Sequence, residues 1–197
     1  MKKVTAIITV LLAISLLLCA CGDAKKEDSK ETGAAVQVSG EITDTGVIQT
    51  ICPSGWLYMP QTDMFAEQDA EGNYPVDPKK MAFIKGGESE FDAFSKPTVY
   101  IYYNEYEFEE GDLELQQIMY EEVENVDYSI GGKKCFAFTA KSLVTSEKDY
   151  YGYFVIFYPI AEGKNVQFTI PTHWGEADGV SVDDADVQAI INNLKLD

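Results

Sequence analysis

The run Tyr-Gly-Tyr-Phe-Val-Ile-Phe-Tyr at residues 151–158 constrains this chain more than any other segment. Successive side chains of a strand point to opposite faces. Tyr151, Tyr153, Val155 and Phe157 therefore line one face, and Phe154, Ile156 and Tyr158 line the other. A strand that is apolar on both faces has to be covered on both faces. The chain must thus build a sheet with material packed above and below it.

The surrounding segments supply strands for such a sheet. Residues 98–103 (Thr-Val-Tyr-Ile-Tyr-Tyr) are β-branched or aromatic almost throughout. Residues 47–52 read as a strand that ends at the turn Pro53-Ser54-Gly55 before Trp56, and residues 81–85 as a short strand stopped by Gly86-Gly87. Residues 67–78, with Gly72-Asn73 and two prolines, read as a loop. Residues 127–130 and 133–143 flank Gly131-Gly132, a pair suited to the positive φ angles of a tight hairpin turn. Residues 150–159 and 166–170 are two further strands.

Two segments switch to helical period. Over residues 112–125, Leu115, Ile118, Met119 and Val123 fall on one side, with Gln116, Gln117, Glu121 and Glu124 opposite. Near the end, Ser181 with Asp184 resembles a capping box, and Val187, Ile190, Ile191 and Leu194 follow at i, i+3, i+4 and i+7. Together these imply an α+β fold: a central antiparallel sheet of about six strands with helices on either side.

The N-terminus carries an address. Lys2 and Lys3 precede an apolar run over residues 4–18, too short for a spanning helix and suited to a signal h-region. The run stops at Leu18-Cys19-Ala20-Cys21. With Leu three residues before Cys21 and Ala just before it, this resembles a bacterial lipoprotein signal with its lipobox. The resemblance implies cleavage before Cys21 and a diacylglycerol on that thiol. The alternative is an ordinary secretory signal cut after Ala20. Two acyl chains hold a protein at a bilayer stably where one does not. The expected organisation is a signal at residues 1–20, a lipidated N-terminus and flexible tether at 21–45, and a single domain at 46–197. The expected location is the outer face of a bacterial cell membrane, with the membrane engaged through the anchor.

Charge narrows the partners. The chain has 15 basic residues, all Lys, against 33 acids. Such a surface repels phosphate backbones and lacks the fork-shaped Arg donor, so nucleic acid is excluded as a partner class. Ten acids and no base lie in residues 97–132, with Glu105, Glu107 and Glu109 at their centre. That stretch suits a basic protein partner at the cell surface. It also raises a small-ligand or divalent-cation receptor as a second reading, although no calcium-loop pattern is present.

The order of elements resembles the PsbP-like family, whose α/β/α sandwich is shared with a Ran-binding nuclear-import factor. The features that carry the likeness are Pro53-Ser54-Gly55-Trp56 after an early strand, a mid-chain helix, the Gly132-Lys133 hairpin, two long strands, and the closing Ala189-Ile190-Ile191-Asn192-Asn193-Leu194. The resemblance implies an α/β/α sandwich over about residues 46–196 and a role in binding or stabilising other proteins rather than in catalysis. It carries no functional residue onto this chain.

Catalytic motifs are sparse. His173 is the single histidine, and no Gly-x-Ser-x-Gly elbow pairs with it. His173 and Glu176 are too few ligands for zinc, so no metal site is expected. Asp44-Thr45-Gly46 matches the triplet of aspartic proteases but occurs once, where such catalysis needs two aspartates sharing a proton. A carboxylate-based hydrolase is the remaining enzyme reading, and no cofactor is implied beyond the lipid on Cys21. Cys52 and Cys135 form a candidate disulfide in an oxidising compartment, or else two buried thiols. Trp56, Tyr100, Tyr102, Tyr103 and Trp174 are candidates for an aromatic recognition surface beside the acidic residues, with burial beneath helix cover as the alternative.

Overall fold

The computed structural model describes residues 38–109, 111–146, 149–161, 163–175 and 177–196. Cys21 and the leader lie outside them. Eleven strands and two α-helices follow in the order β1 (Gly40–Asp44), β2 (Ile48–Pro53), β3 (Trp56–Thr62), β4 (Val76–Lys85), β5 (Thr98–Asn104), α1 (Asp112–Met119), β6 (Glu121–Ile130), β7 (Lys133–Ser146), β8 (Asp149–Ala161), β9 (Lys164–Gly175), β10 (Ala177–Asp178), α2 (Ala185–Asn192) and β11 (Lys195–Leu196).

All strand pairing is antiparallel. The large sheet runs β3-β4-β5-β9-β8-β7-β6, with β10 paired to β9, and a small sheet runs β1-β2-β11. The register aligns Ile101, Phe168, Ile156, Ala137 and Val126 in one row across five strands, all on one face. Phe83 and Val99 pair on that face as well. Over it sit Ile48 from β2 and Val187, Ile190 and Ile191 from α2, forming the main core. The hydroxyl of buried Thr50 donates to the carbonyl of Ile190, fastening β2 to the helix. The indole Nε1 of Trp56 donates to Asp186 Oδ2 at 3.1 Å and fixes the other flank of the helix.

The opposite face has a smaller cluster. Phe138, Ala140, Val155 and Phe157 are covered by Phe108, with Leu113 and Tyr120 packed against them. Both faces of β8 are thus buried, as its sequence requires.

The sandwich expected from the sequence is not what forms. Helices do not flank the sheet on either side. The molecule is mostly β; one face is covered by the small sheet with α2, and the other by an irregular segment with two turns of helix in α1. Three local corrections explain the difference. The expected helix over residues 112–125 stops at Met119, because Tyr120 turns extended (φ −127°, ψ 155°) and residues 121–130 become β6. There Val123, Val126, Tyr128 and Ile130 are half-buried at strand-compatible positions. The apolar side expected to bury α1 faces water: Leu115, Ile118 and Met119 are 58, 81 and 71 % exposed. The end of the expected tether, Gly40–Asp44, is strand β1, an edge strand whose largely exposed side chains leave little hydrophobic signal.

At α2 the capping motif lies one turn earlier than the helix proper. Asp184 is the N-cap; its carboxylate accepts from the Ser181 N–H at 3.1 Å, and Ser181 Oγ accepts from the Asp183 N–H at 3.1 Å.

Candidate binding surface

The face of the large sheet away from α2 carries a file of aromatics. Tyr100 and Tyr102, alternate residues of β5, stack at 6.1 Å with planes 9° apart. Beyond β9 the file continues through Tyr153 of β8, Tyr120 at the end of α1 and Phe138 of β7 to Phe157 of β8 and Phe108. Phe108 stacks on Phe157 at 3.9 Å and meets Phe136 at 5.5 Å.

A buried amide positions Phe108. Asn165, at the start of β9, accepts from Asn104 Nδ2 at 2.9 Å and donates to the Tyr106 carbonyl at 2.6 Å. This clamp turns the chain over the sheet as it leaves β5. Asp112 then accepts from the Glu109 N–H at 2.8 Å and opens α1. Asn165→Ala leaves the Tyr106 carbonyl and the Asn104 amide without their partner. It is expected to cost about 1–3 kcal/mol, read from urea unfolding, with larger solvent access at Phe108 read by hydrogen exchange over residues 105–109.

Beside Phe108 lies a half-open cavity of about 360 Å³. Its apolar walls are Phe108, Leu113, Phe136 and Phe138, and its rim carries Asn125, Asp127 and Lys134. Phe136 is 42 % exposed there. The volume is within the range of small-molecule or side-chain sites. A second, more polar groove of about 690 Å³ runs between β1–β2 and β3 and includes Glu41, Asp44, Cys52 and Tyr58.

The candidate residues do not form one surface. Trp56 is in the main core beneath α2. Tyr103 points to that same core face, with Lys164 Nζ 5.7 Å from its ring. Tyr100 and Tyr102 share the other face. Trp174 sits at the far end of β9, edge-on to Tyr151 at 4.7 Å. Glu105, Glu107 and Glu109 are exposed on the segment that carries Phe108. Glu105 pairs with Lys79 at 2.6 Å, and that hydrogen bond lowers its pKa. Cys52 and Cys135 are free thiols among the described residues, not bridged to each other, and burial pushes both thiol pKa values up. His173 stacks on Tyr150 at 4.0 Å, and its buried Nε2 has no hydrogen-bond partner among the described residues. Among the described residues no group of three or more His, Cys, Asp or Glu is placed to hold a metal.

Sequence reasoning missed Phe108, Phe136 and Phe138 as cavity walls, because the face they share depends on the pairing of β6, β7 and β8, which no local motif displays.

Burial also tunes the phenols. Tyr102 and Tyr153 are each raised from an ordinary value of 10.0 to about 12, chiefly by desolvation, with neighbouring phenols adding to it. Below pH 10 both groups keep their protons folded or unfolded, and their burial stabilises fully. Between pH 10 and about 12 the unfolded chain loses its protons first, so stability is expected to fall through that window and level off above it. Unfolding midpoints against pH, alongside phenolate absorbance, check this. Tyr102→Phe and Tyr153→Phe should each flatten the decline.

No family model matches the chain, and no curated protein matches it significantly. Among solved structures, it is similar to a crystal structure from Bacteroides thetaiotaomicron at 14 % identity and a TM-score of 0.42; the match covers 82 % of this chain, which spans 49 % of that one. It is also similar to the solution structure of the cyanobacterial PsbP (CyanoP) of Synechocystis at 12 % identity and a TM-score of 0.42, covering 87 % of this chain and 98 % of that one. Both similarities lie below the level at which a common function follows.

Proposed function

We propose that this chain is a lipid-anchored module on the outer face of a bacterial membrane that binds another protein and does no chemistry on it. One observation carries the binding half of this reading. Leu115, Ile118 and Met119 of α1 project into solvent beside an aromatic cavity, on a molecule with a formal charge of −18. Apolar side chains grouped at a polar rim mark protein contact surfaces. The lipobox at Leu18–Cys21 supports the anchored half, since two acyl chains on Cys21 would hold the mature chain at the bilayer.

A photo-crosslinking residue at position 118, in the full-length chain in native membranes, tests the binding half. The expected result is one dominant adduct that disappears when Leu115 and Met119 are both changed to Lys. Mass analysis of the purified N-terminal fragment tests the anchor, and an unmodified Cys21 would refute it. Failure of every crosslink under conditions where the fold is intact removes the binding reading.

A further inference from the structure

The last strand of the large sheet, β6, has one edge that no other described strand pairs. Its register with β7 is regular from Glu124↔Thr139 to Ile130↔Lys133, closed by the two-residue turn Gly131-Gly132. In a hairpin of this kind the turn-flanking pair exchanges both backbone hydrogen bonds, and hydrogen-bonded pairs alternate from there. Ile130, Tyr128 and Val126 therefore spend their backbone groups on β7. Asn125, Asp127 and Ser129 direct theirs outward, and among the described residues no other backbone group meets them.

The opposite edge of the sheet is guarded differently. β3 carries Pro60, a register break between Pro60 and Thr62, and β2 close by. Proline and irregularity are devices that block strand addition. β6 has no proline. Its irregularity is confined to one end, where Glu122 adopts φ 50° and the register shifts between Glu121 and Glu124.

Charge then selects the occupant. The strand carries Glu121, Glu122, Glu124 and Asp127 and no base. Two copies of β6 side by side would set these acids against each other, which disfavours self-pairing. The Lys134–Asp127 pair at 3.8 Å is largely exposed on both sides, so Asp127 is free to exchange its cation for another. The cavity lies at the same edge: Asn125 and Asp127 line it together with Phe136 and Phe138. A residue of an added strand opposite Asn125 or Asp127 would project its side chain to that same face of the sheet.

We propose that the outer edge of β6 accepts an extended, lysine- or arginine-rich strand of a partner protein, with one bulky apolar side chain of that strand entering the Phe108–Phe136–Phe138 cavity. Main-chain hydrogen bonds at Asn125, Asp127 and Ser129 supply affinity, and the cavity and the acids supply selectivity. This deepens the protein-binding reading above and rests on it.

The probe is a labelled synthetic peptide alternating Lys and Val, with a central Phe, titrated by fluorescence anisotropy against the full-length chain in detergent. Binding is expected to weaken about tenfold or more when Lys is replaced by Glu, and to fall with added salt. Methylating alternate peptide amides should abolish it. Ser129→Pro removes one outward N–H while sparing the β7 ladder, and should also abolish it. Asp127→Lys, which asks less of the backbone, should weaken binding about fivefold. Phe136→Ala should weaken the Phe peptide and leave an all-Val peptide unchanged. Equal affinity for the Lys and Glu peptides, full binding by folded S129P, no binding at millimolar peptide, or self-association in place of peptide binding each overturns the proposal. The two readings separate cleanly. A folded S129P chain that still crosslinks through position 118 defeats strand addition alone, whereas a chain that crosslinks to nothing defeats both.

Discussion

Phe168→Ala is expected to remove about 3–5 kcal/mol of unfolding free energy. Phe168 is fully buried on β9, the middle strand of the seven-strand path. It pairs with Ile101 on one side and Ile156 on the other, beneath the layer formed by β2 and α2. Strands hold it on both flanks, so the backbone cannot close over the space a missing ring would leave. Domains of this size have about 5–15 kcal/mol of stability in all, so the loss takes a large share of the total. Phe65→Ala is the control: the ring is almost wholly exposed, and its loss should change stability by less than about 0.5 kcal/mol. Urea unfolding of both variants checks the contrast. A Phe168→Ala cost below about 1 kcal/mol would remove this residue from the centre of the core.

Gly179→Ala is expected to cost on the order of 3 kcal/mol, although it adds one carbon. Gly179 lies flat on the bulged end of β9. Its N–H donates to the Thr172 carbonyl at 3.2 Å, and the next N–H, of Val180, donates to the Pro171 carbonyl at 2.7 Å. A Cβ at this position would fall inside contact distance of the Pro171 carbonyl oxygen, the Thr172 carbonyl carbon and the His173 nitrogen. All three are backbone atoms and none can rotate away. The two chains would have to separate, losing both hydrogen bonds and pulling buried Val180 out of the main core. Gly72→Ala is the comparison. It has open space around it but φ at 87°, so it should cost only about 1 kcal/mol of backbone strain. Thermal melts that rank Gly72→Ala as the more damaging change would contradict this placement of the 179–180 segment.

The strands of the main core were legible because their residues have one physical use. In Thr98–Asn104 and in the 151–158 run, β-branched and aromatic side chains suit only a pleated, covered surface, and both lie in strands of the large sheet. Helix α2 was legible because Val187, Ile190 and Ile191 recur at helical spacing and all three are buried. The fold class was misread where the same signal has two meanings. Leu115, Ile118 and Met119 have the spacing of a docked helix, yet spacing reports a shared face and not what lies against it. The second half of β6, residues 127–130, was legible as the strand before Gly131-Gly132, but its first half was hidden because Glu121 and Glu124 share the helical charge pattern and a bulge at Glu122 breaks the alternation that marks a strand. β1 was hidden because an edge strand needs hydrogen bonds more than burial. At the candidate surface, the tyrosines of β5 were identified, but their separation from Trp56 depends on which face each strand residue takes. That is set by register, which a single sequence does not display.

The bonds from Thr50 to Ile190 and from Trp56 to Asp186 join parts of the chain 140 and 130 residues apart. Native docking of β2 against α2 therefore waits for the helix to arrive, and closing so wide a loop is slow. Until residues 185–192 have been synthesised, the early strands lack part of the layer that covers the main core. Completion of the main core is thus a late step of folding, set by the last helix rather than by the strands that precede it.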